Sequence, residues 1–294
     1  MDQKKKDWDL QTRAARGELA AVERLLAEGA DPMAFDGHGR TALMWACYNN
    51  HPEVAALLAP KSDAKKKNSV GGTALMISAG QGNAECLRIV LPLSDPNAIS
   101  ERGKNALMCV MEEADNVSLL NMLLPVSDLS VWTPDGESTL HLAAQYGRTG
   151  CVERLLPYFD ANEPTKTPRR ETALHLAVCA DSPACVKILA PASDMRIQDA
   201  EGLNAAQRAV DMLQWAALEH LLDSLPIGDY ERAIVEARRS SGGALAALME
   251  ARLLAKAVEA GNQGEGGRSG AAGSVGDTVD STGSSAPRRA PKAL

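Results

Sequence analysis

The sequence predicts an all-α solenoid of about seven stacked helix–turn–helix units with hairpin-like loops and a helical C-terminal cap. Three observations carry that reading. A short opening, Thr-Ala-Leu-Met or a close variant, recurs at Thr41, Thr73, Asn105, Ser138, Thr172 and Asn204, in steps of 32, 32, 33, 34 and 32 residues. A closing proline keeps the same rhythm at Pro60, Pro92, Pro125, Pro157 and Pro191, and x-Ser-Asp follows four of those five. Between the markers, apolar residues fall at helical spacing. Ordering one such unit alone would cost on the order of 50 kcal/mol of conformational freedom, at about 1.5 kcal/mol per residue. One helix pair cannot bury enough surface to offset that, so neighbours must share their apolar faces.

Taken in order, residues 1–7 are polar and expected to fray. The first unit, residues 8–31, opens on Trp8-Asp9-Leu10-Gln11 and carries Gln11, Arg13 and Arg16 where an inner unit would show more apolar surface. It reads as an N-terminal cap with one wet side. The pattern is clearest from Thr73 to Asp95. Thr73 is an N-cap, Leu75 and Ala79 share one face of a first helix, and Gly82 makes the turn. Cys86, Ile89 and Val90 then form the apolar stripe of a second helix, and Pro92 stops it. Between units, stretches such as residues 31–40 and 128–137 hold Asp-Gly pairs, which favour tight turns with positive φ. The fourth unit replaces the turn glycine by Glu112-Glu113-Ala114-Asp115, and the seventh also lacks one. Local opening is expected to begin in these two units.

The repeat array spans residues 8–225. Residues 226–260 read as a pair of helices that no longer match the repeat and cap the last unit. Residues 261–294 are rich in Gly, Ser and Ala and read as a disordered tail.

A period of about 33 residues with a Thr-Pro-Leu-His-like start resembles the ankyrin repeat family. The resemblance covers residues 8–225. It implies finger-like hairpins at right angles to the helices. It also implies that His141 and His175 bond the opening hydroxyl; Met44, Met76 and Met108 fill that slot by packing instead. Partners of the family are gripped by the concave surface of finger tips and first helices. Carried over slot by slot, that surface comprises Phe35, His38, Arg40, Tyr48 and Asn49 in the second unit, and Lys67, Val70 and Gln81 in the third. Ile99, Arg102, Lys104 and Glu112 follow in the fourth, then Trp132, Glu137, Gln145 and Tyr146, then Lys166, Arg169 and Glu171. The chain has Trp 4, Tyr 4 and Phe 2, and four of these aromatics fall in the exposed slots, where repeat packing does not require them. Trp132 with Tyr146 is the expected anchor, since aromatic side chains offer large contact area with few rotors; the alternative is that Trp132 folds against the next finger. Trp45 is expected to point into the core beside Leu43 and Ala46.

Composition excludes other classes. A net charge of −7 argues against a nucleic-acid partner, which needs a basic footprint. No apolar run is long enough for a membrane span, and the charged start, MDQKKKDWD, has no signal-peptide core behind it. Six cysteines include no Cys-x-x-Cys pair, and Cys86, Cys151 and Cys185 share the second-helix slot of Val54. They read as core thiols, consistent with a reducing, cytoplasmic setting. His175 and Cys179, four apart on one helix, are the only spacing suggestive of a metal-dependent enzyme. The glycines of residues 264–267 lack the strand and helix of a phosphate loop. The expected protein is a monomeric, non-catalytic adaptor, scaffold or inhibitor that binds another protein and needs no cofactor. In a second reading, the C-terminal helices and tail bind and the repeats act as a spacer.

Overall fold

The structure, a computed structural model, describes residues 2–224 and, further on, residues 247, 249–252, 254, 255 and 258. The expectations for residues 226–246 and for the tail, including residues 264–267, lie outside the described residues. From residue 3 to 224, fourteen helices pair into seven hairpins. The first helices are α1 (Gln3–Ala15), α3 (Ala42–Tyr48), α5 (Ala74–Gly80), α7 (Ala106–Cys109), α9 (Thr139–Gln145), α11 (Ala173–Cys179) and α13 (Ala205–Asp211). Their partners are α2 (Leu19–Ala27), α4 (Pro52–Leu58), α6 (Ala84–Val90), α8 (Val117–Leu123), α10 (Thr149–Leu155), α12 (Pro183–Leu189) and α14 (Trp215–Ser224). First helices pack on first helices and second on second, giving two layers.

The repeated residues each have a local task. The Thr41 and Thr73 hydroxyls and the Asn105 side-chain oxygen accept from the backbone N–H of Met44, Met76 and Met108, at 3.3, 3.3 and 3.0 Å. Two residues beyond each opening, Leu43, Leu75, Leu107, Leu140 and Leu174 are buried between the layers. The second-helix slot of Val54, Cys86, Leu119, Cys151 and Cys185 is fully buried too. Burial pushes the Cys151 thiol up to about 12, aided by the nearby Asp115 carboxylate, so it remains protonated at neutral pH. From the second unit to the sixth, the second helix tightens into a short 3-10 turn with the closing proline at its centre. The first unit ends differently. Gly29 is left-handed at φ 85, Gly29 N–H reaches Leu26 O at 3.1 Å and Ala30 N–H reaches Leu25 O at 2.9 Å, a Schellman closure. The aspartate that follows each closure folds the entry to the next finger. Asp31, Asp63, Asp95, Asp128, Asp160 and Asp194 each accept the N–H two residues on, at 2.8 to 3.0 Å.

The N-terminus departs from expectation. Helix α1 begins at Gln3 rather than near Trp8. Polar residues 3–7 are tied to the end of α2: Gln3 Nε2 donates to Gly29 O at 3.0 Å, Lys6 Nζ to Glu28 O at 2.7 Å, and Asp31 N–H to Asp7 at 2.8 Å. They are held by hydrogen bonds that apolar periodicity does not reveal.

In the fourth unit, α7 is a single turn of 4 residues, and it packs less extensively on α9 than α5 packs on α7. Cross-unit bonds compensate. Asp115 caps α10 of the next unit by accepting Gly150 N–H at 2.6 Å and Cys151 N–H at 2.9 Å. Arg148 donates to Met111 O and Glu112 O at 2.9 and 3.0 Å. In the seventh unit the turn is made by Leu213 at φ 58, a conformation that favours glycine. Beyond the array, Met249 is buried in the common core and Arg252 bonds Asp223, so these described residues lie against the seventh unit.

Candidate protein-binding face

Fingers build one long face. In each, a polar residue turns the chain by accepting an N–H near the finger's end: Asp36 from Arg40, Asn68 from Gly72, Ser100 from Lys104, Thr133 from Glu137, Thr165 from Glu171 and Asp199 from Leu203. Neighbouring fingers are stapled backbone to backbone. Ser69 N–H donates to His38 O at 2.9 Å, Glu101 to Val70 O at 3.1 Å, Lys166 to Gly136 O at 2.8 Å and Ala200 to Arg169 O at 2.8 Å. The rung between the third and fourth of these fingers is missing because its donor position is Pro134, which packs on Gly103.

Helix periodicity sets what faces the fingers. Residues two, three, five and six after the opening point into the stack, whereas those four or seven after it meet their own finger. Trp45 Nε1 donates to Asp36 at 3.1 Å, and Arg40 lies 4.7 Å over its ring. Glu112 pairs with Lys104 at 2.8 Å. Gln145 bonds Glu137. The Cys179 thiol lies 3.9 Å from Glu171. Arg208 pairs with Asp199, and with Glu201 at 3.1 Å. Trp45 is therefore a half-buried finger-face residue, not the inward core residue expected. The sequence carries one sign of this: four residues after the opening stand Trp45, Ile77, Cys109, Leu142, Leu176 and Arg208, so the slot takes a charged arginine in the seventh unit.

Two adjoining grooves open in this face. One, of about 650 Å³, is bounded by Arg102, Lys104, Pro134, Leu142 and Tyr146. The other, of about 570 Å³, has Thr165, Pro168, Arg169, Glu171, Leu176 and Cys179 around it, and Glu137 and Gln145 form the divide between them. Burial disfavours the Lys104 ammonium, but the Glu112 carboxylate outweighs it and holds the lysine pKa above its ordinary value. Burial pushes the Glu137 carboxyl upwards, and Asp135 and Glu171 add to the effect.

Seven of the sequence-derived slots meet in these grooves: Arg102, Lys104, Glu137, Gln145, Tyr146, Arg169 and Glu171. Tyr146 is 40% exposed, with Lys104 and Arg148 each 5.8 Å from its ring. Phe35, His38, Tyr48, Asn49, Lys67, Val70, Gln81, Ile99 and Lys166 are exposed but lie outside the grooves. Phe35 lies under Lys66 at 4.8 Å, and Lys67 Nζ donates to Ile99 O at 2.8 Å. Trp132 takes the alternative placement. It is half-buried, with Lys166 Nζ 3.8 Å over one ring face and the His141 ring 5.7 Å away, and it lines neither groove. It folds against the next finger instead of joining Tyr146. Glu171, placed among the exposed slots, is only 7% exposed.

The histidines clip adjacent units. His141 Nδ1 lies 2.7 Å from Ser138 Oγ and its Nε2 2.9 Å from Glu163 O. His175 Nδ1 lies 2.8 Å from Thr172 Oγ1 and its Nε2 3.1 Å from Leu203 O. Both ring nitrogens of His175 are thus engaged, which argues against the metal pairing with Cys179. Among the described residues, no three His, Cys, Asp or Glu side chains converge as a metal site. No helix among them is long and apolar enough to cross a membrane.

Stacked hairpins with stapled fingers define a repeat scaffold of the ankyrin class. The profile of ankyrin repeats, three copies long, matches residues 3–69, 107–199 and 140–228, and the chain belongs to the ankyrin repeat family. Among solved structures, the human ASB11 ankyrin repeat domain is similar, with a TM-score of 0.63 and 21% identity over 72% of this chain and 96% of that one. That likeness bears on the fold alone. No curated protein matches the chain significantly.

Proposed function

We propose that the chain is a non-catalytic interaction module that grips a protein partner on its finger face, centred on the two grooves, with Tyr146 as the anchor. Ankyrin repeats are generally protein-interaction modules. What supports this site is the adjoining pair of grooves, which places an exposed tyrosine beside the charged side chains of Arg102, Lys104 and Glu137. A half-exposed aromatic beside a concavity is the usual form of an interface anchor. Purified chain used as bait, compared with Tyr146→Ala, tests the reading. The variant should lose captured partner, by about 2 kcal/mol or more for a true anchor. Unchanged capture by a folded variant would remove the site. The buried Met249 supports reading the C-terminal residues as a cap rather than a separate binding element. Truncation after Leu225 should then lower stability rather than selectively abolish capture.

A further inference from the structure

Glu171 is the least expected side chain of the face. It lines the second groove with only 7% of its surface exposed, and among the described residues its carboxylate forms no ion pair; its side-chain neighbour is the Cys179 thiol at 3.9 Å. Carboxylates this buried are normally matched by a cation or strong donors, because desolvation of an unmatched charge is costly. Glu137 stands across the same groove, bonded by Gln145 and likewise without an ion pair among the described residues. Lys104, the cation that acts on Glu137, is committed to Glu112 at 2.8 Å. Arg169 is at the exposed rim and pairs with neither carboxylate.

We propose that the second groove receives an arginine side chain from an extended segment of the partner, with its guanidinium held between the Glu137 and Glu171 carboxylates. This rests on the interaction reading above. A guanidinium suits the place better than an ammonium: it is weakly hydrated, presents five donors in a planar fork and can serve two carboxylates at once. Pro168 and Leu176 offer apolar surface to its stem and flat face. The volume of about 570 Å³ is ample for one such side chain.

The test is selection of a random-peptide phage library on the full chain, followed by affinity measurement of synthetic winners. The expected result is an arginine at one fixed position. Replacing it by alanine, or making Glu137→Gln or Glu171→Gln in the protein, should weaken binding at least tenfold, and replacing it by lysine should weaken binding several-fold. Glu137 is half-exposed, so Glu137→Gln remains informative if Glu171→Gln fails to fold. Peptides that need Tyr146 but carry no fixed arginine, accept lysine equally, or ignore both glutamine variants would overturn the arginine site and leave the interaction face standing. Peptides indifferent to Tyr146→Ala as well, or no enrichment at all, would reject both.

Discussion

His141 should make the array acid-sensitive in a defined window. Its side chain is 2% exposed, and its surroundings specify the neutral ring: Nδ1 accepts the Ser138 N–H at 3.3 Å, while Nε2 faces the Glu163 carbonyl at 2.9 Å and must donate. Protonation at Nδ1 would set a donor against a donor inside the stack. Burial accordingly holds the pKa down at about 4, from 6.5. A histidine whose folded pKa is depressed contributes stability that is fully present above the unfolded value and is lost as pH falls through 6.5 towards 4. Linkage with these two values gives a loss of about 2 to 3 kcal/mol between about pH 7.5 and about pH 4.5. Urea unfolding at both pH values, compared with His141→Met, isolates it. Methionine already fills the equivalent slot at Met108. The variant should be weaker at neutral pH by about 1 to 2 kcal/mol for its lost hydrogen bonds, yet lose about 2 to 3 kcal/mol less on acidification. Equal acid sensitivity in the two proteins would refute the argument.

Other substitutions probe separate features. Leu213→Gly should raise stability by about 1 kcal/mol in thermal melts, because the residue is 69% exposed and held at φ 58; no gain would mean the left-handed turn carries no strain. Asp115→Ala should cost about 1 kcal/mol and speed amide exchange in the first turn of α10, and unchanged exchange there would dismiss the cross-unit cap. Leu75→Ala, at a fully buried slot, should cost about 2 to 5 kcal/mol, and a negligible change in melting would contradict the packing.

Unit boundaries were legible because each is written in local chemistry. The opening N-caps, the closing prolines and the Asx turns at Asp63 or Asp95 involve partners at most four residues away. The face was legible only in part. Tyr146, Gln145 and Lys104 followed from slot counting, but Trp45 was misplaced because a large aromatic beside Leu43 resembles core until helix phase is tracked from Thr41. Trp132 depends on Lys166 of the next finger, which no window within its own unit contains. Ties such as Asp115 to α10 or Lys67 to Ile99 span more than thirty residues and leave no periodic trace.

Pro134 divides the row of fingers into two blocks, each internally stitched and joined to the other only through side chains and helices. Traction on the ends should part the molecule at that join. The larger groove lies across it, with Arg102 and Lys104 on one bank and Glu137 and Tyr146 on the other. Whatever fills that groove becomes a splint, and the stiffness of the whole ribbon then reports occupancy.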